Sequence, residues 1–239
     1  MLRTASFVLA LLLILGANSM AAPGDTIWTA IYGDETPDYC ASALKTEDGG
    51  VVVVGYTHSI QNGDTDVWIF KIDTDGSFLW SKTYGGNGQE TAFDIVAADN
   101  GGFVVFGNIE TINSFGRDIF ILGIDSNGDT LWTKRYDSYL ASDKGAISPA
   151  PGGGYMLAGS IVTGGTQGVD IFMMKIDENC DSLWSVNYGG NLNDRAFDLK
   201  STPDSNYYIL ARTESSGYGA TDFYLIKTDS LGNEIWSNT

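Results

Sequence analysis

The chain has one histidine, two cysteines and only 13 lysines and arginines against 30 aspartates and glutamates in 239 residues. Each shortage removes a class of function. With His58 as the sole histidine, no His/Cys ligand cluster forms, which excludes zinc and iron–sulfur sites in practice. No Ser/His/Asp or Cys/His arrangement can be specified around it either, and its place between strands reads as a solvated loop. The formal charge of −17 repels phosphate backbones and anionic lipid, so nucleic acid and membrane surfaces are poor partners. Such acidity keeps an exported protein soluble. Cys40 and Cys180 occupy different places in the repeat set out below. Nothing in its register brings their Cα atoms within ~7 Å, so they read as free thiols rather than a disulfide framework. Helical periodicity is also missing, since no window sustains it for three turns.

One apolar run stands out, at the N-terminus. Arg3 precedes Phe7–Leu15 (FVLALLLIL), and Ser19-Met20-Ala21 supplies small residues where a signal peptidase reads. The run falls short of the ~20 residues that cross a bilayer. Residues 1–21 therefore read as a signal peptide and 22–239 as the mature domain, secreted, periplasmic or on the cell surface. An uncleaved N-terminal anchor is the other reading.

What the chain does have is a repeat. Trp28, Trp80, Trp132, Trp184 and Trp236 recur every 52 residues without insertion or deletion, which marks a repeat array. Each copy carries four short segments. In the copy around Trp132 they are TAFDIVAADNGG, FVVFG, DIFILGID and TLWTKRY, separated by turns such as NGG and DSNG. Short runs rich in β-branched and aromatic residues, bounded by Asn, Asp and Gly, are strands joined by tight turns. Four antiparallel strands in a Gly-punctuated repeat of this length make the blade of a β-propeller. A recurrent indole on the outer strand buries ~150–250 Å² against the next blade, or about 4–6 kcal/mol gross at ~25 cal/mol/Å².

The pattern D-x-aromatic-(I/L)-x-K-I-D-x-x-G-x-x-x-W-x-K-x-Y-G-G, followed by D-G-G-(F/Y)-(V/I)-x-x-G, resembles secreted bacterial and archaeal β-propeller repeat proteins of largely unknown function. More distantly, its D-x-x-G-x-x-x-W core is similar to the tryptophan-docking repeat of quinoprotein propellers. The resemblance implies a fold rather than an activity. With the Trp strand last and outermost, blades fall at about 39–84, 91–136, 143–188 and 195–239. Asp25–Tyr32 (DTIWTAIY) is then a surplus outer strand. That surplus predicts an incomplete, open ring, with exposed edges suited to self-association.

Few residues qualify for chemistry. The turns at Asp73–Gly76 and Asp125–Gly128 suggest calcium, yet only two side chains recur where six or more oxygens are required, so they read as Asx-capped turns. Asp66, Asp118, Asp170 and Asp222 open the third strand of every blade, which suits bonding to backbone amides at the strand entrance. A ring of four could alternatively hold an axial cation. Lys71, Lys175 and Lys227 suit an aliphatic stem with the charge held in water. The Tyr-Gly-Gly segments at Tyr84 and Tyr188 precede no helix and read as crossings between blades rather than phosphate cradles.

Positions that differ between copies are the better binding candidates. Tyr39, Thr91, Asp143 and Arg195 align at the blade entrance beside Asp38, Glu90, Ser142 and Asp194, and Arg212 is peculiar to the last blade. No catalytic, cofactor or metal residue is assigned. The expectation is an exported, non-catalytic propeller that binds a protein or glycan or builds a surface structure. Its alternatives are a propeller enzyme (quinoprotein-like or polysaccharide-active) and a targeting module from a larger protein.

Overall fold

The computed structural model describes residues 28–58, 64–86, 88–110, 117–162 and 168–239, apart from the side chains of 138–143. The signal-peptide segment lies outside these. Among the described residues there are fifteen strands and no helix.

They form four units of the same kind. The first comprises β1 (Asp38–Lys45), β2 (Val51–His58), β3 (Thr65–Ile72) and β4 (Phe78–Tyr84), paired antiparallel in chain order. The second takes β5 (Gln89–Ala97), β6 (Phe103–Glu110), β7 (Arg117–Ile124) and the first part of β8 (Thr130–Pro149). The rest of β8 opens the third unit, completed by β9 (Tyr155–Val162), β10 (Val169–Ile176) and β11 (Ser182–Tyr188). Thus β8 crosses between units without a break, where the repeat pattern predicts two strands. The fourth unit is β12 (Asp194–Ser201), β13 (Tyr207–Thr213), β14 (Asp222–Thr228) and β15 (Glu234–Asn238).

The repeat extends to the irregularities. Register shifts follow Cys40, Ala92 and Ala196 in the first strands, and Lys71, Gly123, Lys175 and Lys227 in the third. The extra residues lie in the first and fourth strands, Ala41 and Leu79 in the first unit, and each bends and twists its strand; the third unit differs at its first strand, where the shift spans Leu140 to Gly145. First strands pack against one another in succession, β1 on β5, β5 on β8 and β8 on β12, which puts them innermost. Asp94 ties three units there, accepting from Ser42 Oγ at 2.7 Å and Ile147 N at 3.1 Å.

The core lies between the sheets. Val54, Ile69, Val105 and Leu122 cluster between units one and two; Phe106, Ile121, Leu157 and Phe172 between two and three; Ala158, Met173, Tyr207 and Ile209 between three and four. Strands two and three carry continuous apolar runs because both of their faces meet a neighbour. The architecture is all-β and propeller-like.

Each outer strand then docks on the turn of the next unit. On β4, Trp80, Lys82 and Tyr84 share one face because side chains alternate along a strand. Trp80 Nε1 donates to Ser126 O at 3.0 Å, Lys82 Nζ pairs with Asp129 at 2.6 Å, and Tyr84 Oη donates to Gly128 O at 2.5 Å. The next junction repeats this with Lys134–Asp181 at 2.7 Å and Tyr136 on the Cys180 carbonyl. The third has Tyr188 Oη on Gly232 O at 2.6 Å. Burial pushes the hydroxyls of Tyr84, Tyr136 and Tyr188 well above the usual phenol range. The indoles are half-buried rather than fully covered, so each rung contributes about half the gross figure for a buried indole.

One junction departs from the pattern twice. At the acceptor turn Cys180, at φ +58°, replaces the glycine of the other copies. A Cβ at Gly128 or Gly232 would sit 2.9 or 2.8 Å from the docked Trp80 or Trp184 ring. Trp132 instead lies over Gly123, where a Cβ would be 2.3 Å from the ring. The other copies have Lys71, Lys175 and Lys227 at that position, so the two substitutions compensate each other.

Residues 28–37 belong to no strand, which corrects the strand expected over Asp25–Tyr32; its first three residues lie outside the described chain. An outer strand needs a third strand to accept its backbone bonds, and this segment has none. Its side chains dock all the same. Trp28 Nε1 donates to Thr74 O at 3.1 Å and Tyr32 Oη to Gly76 O at 2.7 Å. Among the described elements, no extensive packing joins the first unit to the fourth.

Candidate functional site

The polar groups gather where first and third strands begin, at the crossings between units. Three acids at the first-strand entrance reach back four residues to a backbone amide. Asp38 accepts from Asp34 N at 3.1 Å, Glu90 from Gly86 N at 3.3 Å and Asp194 from Gly190 N at 2.8 Å. For Asp66 and Asp222 this corrects the role expected of the third-strand aspartates: the amides there are taken by first-strand acids. The signal was present in the sequence, since Asp38, Glu90 and Asp194 each follow the crossing by the same spacing.

The third-strand aspartates face those acids across the junction. A Cβ on Gly85 would lie 1.8 Å from Asp66 Oδ1 and 2.8 Å from Glu90 Oε2; one on Gly189 would lie 2.6 Å from both Asp170 Oδ1 and Asp194 Oδ2. Glycine is required at these crossings because two carboxylates crowd the same point. Where the crossing reads Tyr136-Asp137-Ser138 instead, Asp118 hydrogen-bonds Arg135, from Nε at 2.8 Å and from Nη2. Asp222 Oδ2 crowds Gly217. All four sit at the starts of third strands, Asp66 and Asp170 facing the first strand of the next unit, and among the described residues they are not grouped to hold a cation.

At the first junction Asp66 Oδ1 is buried without a hydrogen-bond partner, and Glu90 is only 4% exposed. Burial raises the proton affinity of both carboxyls; Asp64 adds to the effect on Asp66, and Asp66 and Asp64 add to that on Glu90.

Beside this pair, towards the inner strands, stands an aromatic platform. Tyr39 stacks on Tyr56 with ring centroids 4.7 Å apart and planes 19° apart, and His58 meets both edge-on. Tyr39 remains 48% exposed. His58 is half-buried at the end of β2, with Nδ1 3.3 Å from Thr65 Oγ1, rather than solvated in a loop. Arg117, paired with Glu110 at 3.5 Å, borders the platform through its field on Tyr56.

The remaining candidates are structural. In all four Asp turns one carboxylate oxygen accepts two turn amides, as Asp125 Oδ1 does from Asn127 N and Asp129 N at 2.8 Å. The lysine heads are less solvated than expected: Lys71 pairs with Asp48 at 2.5 Å, Lys175 donates to Pro151 O at 3.2 Å, and Lys227 lies over Tyr208. Of the variable positions, Tyr39 joins the platform and Thr91 donates to Asn108 at 3.0 Å. Arg195 is half-buried and Arg212 Nε is buried without a hydrogen-bond partner. The side chains of Ser142 and Asp143 lie outside the described set. Both cysteines are free thiols. Among the described residues no group of three His, Cys, Asp or Glu is arranged to hold a metal, and no helix is long and apolar enough to cross a membrane.

No protein family and no curated protein matches the chain. Among solved structures it is similar to a Bifidobacterium bifidum s17 protein assigned as an exo-β-1,3-galactanase, at 12% identity and TM-score 0.49, covering 82% of this chain and 70% of that one. A GH43 endo-arabinanase from Bacillus licheniformis is similar at 12% identity and TM-score 0.45, covering 85% and 78%. A eukaryotic initiation factor gives 12% and 0.38, covering 83% of this chain and 55% of its own. These are remote likenesses of fold and carry no chemistry across.

Proposed function

We propose that the chain is a non-catalytic, four-bladed, open propeller module that binds a glycan over the aromatic platform at its first junction. The exposed, stacked Tyr39 is the observation that carries this reading. A flat ring held from behind presents an apolar face to the C–H face of a sugar at little entropic cost, and neighbouring polar groups orient the hydroxyls. Export through the N-terminal signal segment completes the proposal and puts the module where glycans are met.

The second reading is a carbohydrate-hydrolysing propeller. It is favoured by the raised proton affinity of Asp66 and Glu90, as a general acid requires. Their geometry weighs against it. Both oxygens lie within 2.8 Å of one point, closer together than the ~5–5.5 Å of a retaining carboxylate pair, and Glu90 is closed to solvent.

Calorimetry with galactan and arabinan oligosaccharides, the ligand classes named for two of the similar folds, separates the readings when run beside a reducing-end assay. Binding without hydrolysis, weakened at least tenfold in Tyr39→Ala, supports the module. Hydrolysis lost in Asp66→Asn or Glu90→Gln establishes the enzyme.

A further inference from the structure

The repeat interface is left bare at both ends of the array, and the two ends match. At three positions of the fourth unit, apolar side chains that are fully buried in earlier units stand open: Leu210 is 40% exposed, Phe223 82% and Leu225 37%. Their equivalents Ala158, Ile171 and Met173 are all at 0%. Tyr208 and Trp236 extend the same flank, with rings 5.8 Å apart. This is the downstream half of an inter-unit interface.

The upstream half is on the first unit. Val53 and Trp68 are half-exposed, whereas their equivalents Val105 and Phe120 are buried. With Phe70 they line a groove of about 280 Å³ bounded by Tyr32. The acceptor turn for an incoming tryptophan is there too, at Thr74 O and Gly76, but Trp28 and Tyr32 already occupy it.

We propose that the fourth unit of one chain docks on the first unit of a second copy, head to tail, with residues 28–32 as a latch on the acceptor. Trp236 and Trp28 occupy equivalent places in the repeat, so both compete for the Thr74–Gly76 turn. Leaving costs the latch two side-chain hydrogen bonds and no ladder, because its backbone is unpaired. The occupant is a second copy because three junctions within the chain already join such surfaces, and the only unmated upstream half among the described units is on unit one. Head-to-tail contacts of this kind close into rings when the rotation permits and grow into filaments when it does not.

Sedimentation velocity of the full chain between about 1 and 100 μM tests this. The wild type is expected to self-associate with rising concentration. Phe223→Asp, at a site exposed enough to leave the fold intact by circular dichroism, should abolish association. Trp28→Ala, which frees the acceptor, should tighten it about tenfold. Association that persists unchanged in Phe223→Asp overturns the docking surface, and so does a Trp28→Ala chain that stays monomeric throughout. A tightening that Trp28→Ala fails to produce, with Phe223→Asp still disruptive, overturns the latch. Tyr39 also lines this groove, so glycan affinity is compared at the dilute end, where the chains are monomeric and neither substitution alters Tyr39; the docking test then fails or succeeds separately from the functional reading.

Discussion

Ile171 and Phe223 occupy the same place in adjacent copies of one repeat, on strands of the same register, yet the first is fully buried and the second is open to water. Nothing within the two units accounts for the difference. It comes from the neighbour: unit three has unit four against its downstream face, and unit four has no described unit against its own. Burial here belongs to junctions rather than to units, as expected of an array whose stability is a sum over nearest neighbours. The first unit is intermediate, since Trp28 and Tyr32 cover part of its upstream face.

The largest expected effect comes from placing the same charge on both faces. Ile171→Asp buries an unpaired carboxylate and should cost more than about 4 kcal/mol, enough to unfold the chain, whereas Phe223→Asp should stay within about 0.5 kcal/mol. Urea titrations followed by circular dichroism compare the two; equal costs would break the contrast. The tryptophan rungs sharpen it at smaller scale. Trp184→Ala should cost about 2–3 kcal/mol and Trp236→Ala less than about 1 kcal/mol, because only Trp184 rests on a following turn.

The fold was legible because no insertion disturbs the 52-residue register, so turn residues and apolar runs in one copy vouch for those in the others. Side-chain destinations between copies were not. That Trp80, Lys82 and Tyr84 all reach one turn of the next unit depends on how two sheets meet, which pairing within a sheet does not reveal. The exchange of Gly123 and Cys180 was visible as a broken pattern, but its compensation appears only with Trp132 in place. The platform was half legible: Tyr39 stood out as a variable position, while its stacking on Tyr56 follows from the β1–β2 register.

The carboxylates separate junction from surface by pH. Asp66 and Glu90, buried at the first junction, hold protons above the ordinary carboxylate range. They bind more protons folded than unfolded, so stability falls as pH rises through that window. Two turn aspartates at the surface, Asp125 and Asp229, behave oppositely. Hydrogen bonds, chiefly from the Asp129 amide to Asp125 and from the Asn233 side chain to Asp229, lower their pKa values. Their contribution is present above the ordinary carboxylate range and is lost as pH falls below it. The melting temperature should therefore rise as pH drops from 7 towards 5 and then fall below about 4. Glu90→Gln should show a smaller rise and the same acid fall. A rise of equal size in Glu90→Gln would assign it to relief of the −17 charge instead.

The smallest effect contrasts the two thiols. Cys40 is exposed at the edge of the first unit; Cys180 is buried at the second junction, where burial, the leading cause, helps push its pKa up to about 11. A thiol reagent at pH 8 should label one cysteine per native chain, and two after denaturation.

Native-state hydrogen exchange at low concentration tests the central claim, that each unit is held by the unit that follows. The account predicts that amides of β14 exchange markedly faster than those at the same repeat positions in β7 and β10, although all three strands are hydrogen-bonded on both sides. Equal protection in β14, β7 and β10 of the monomeric chain would contradict it.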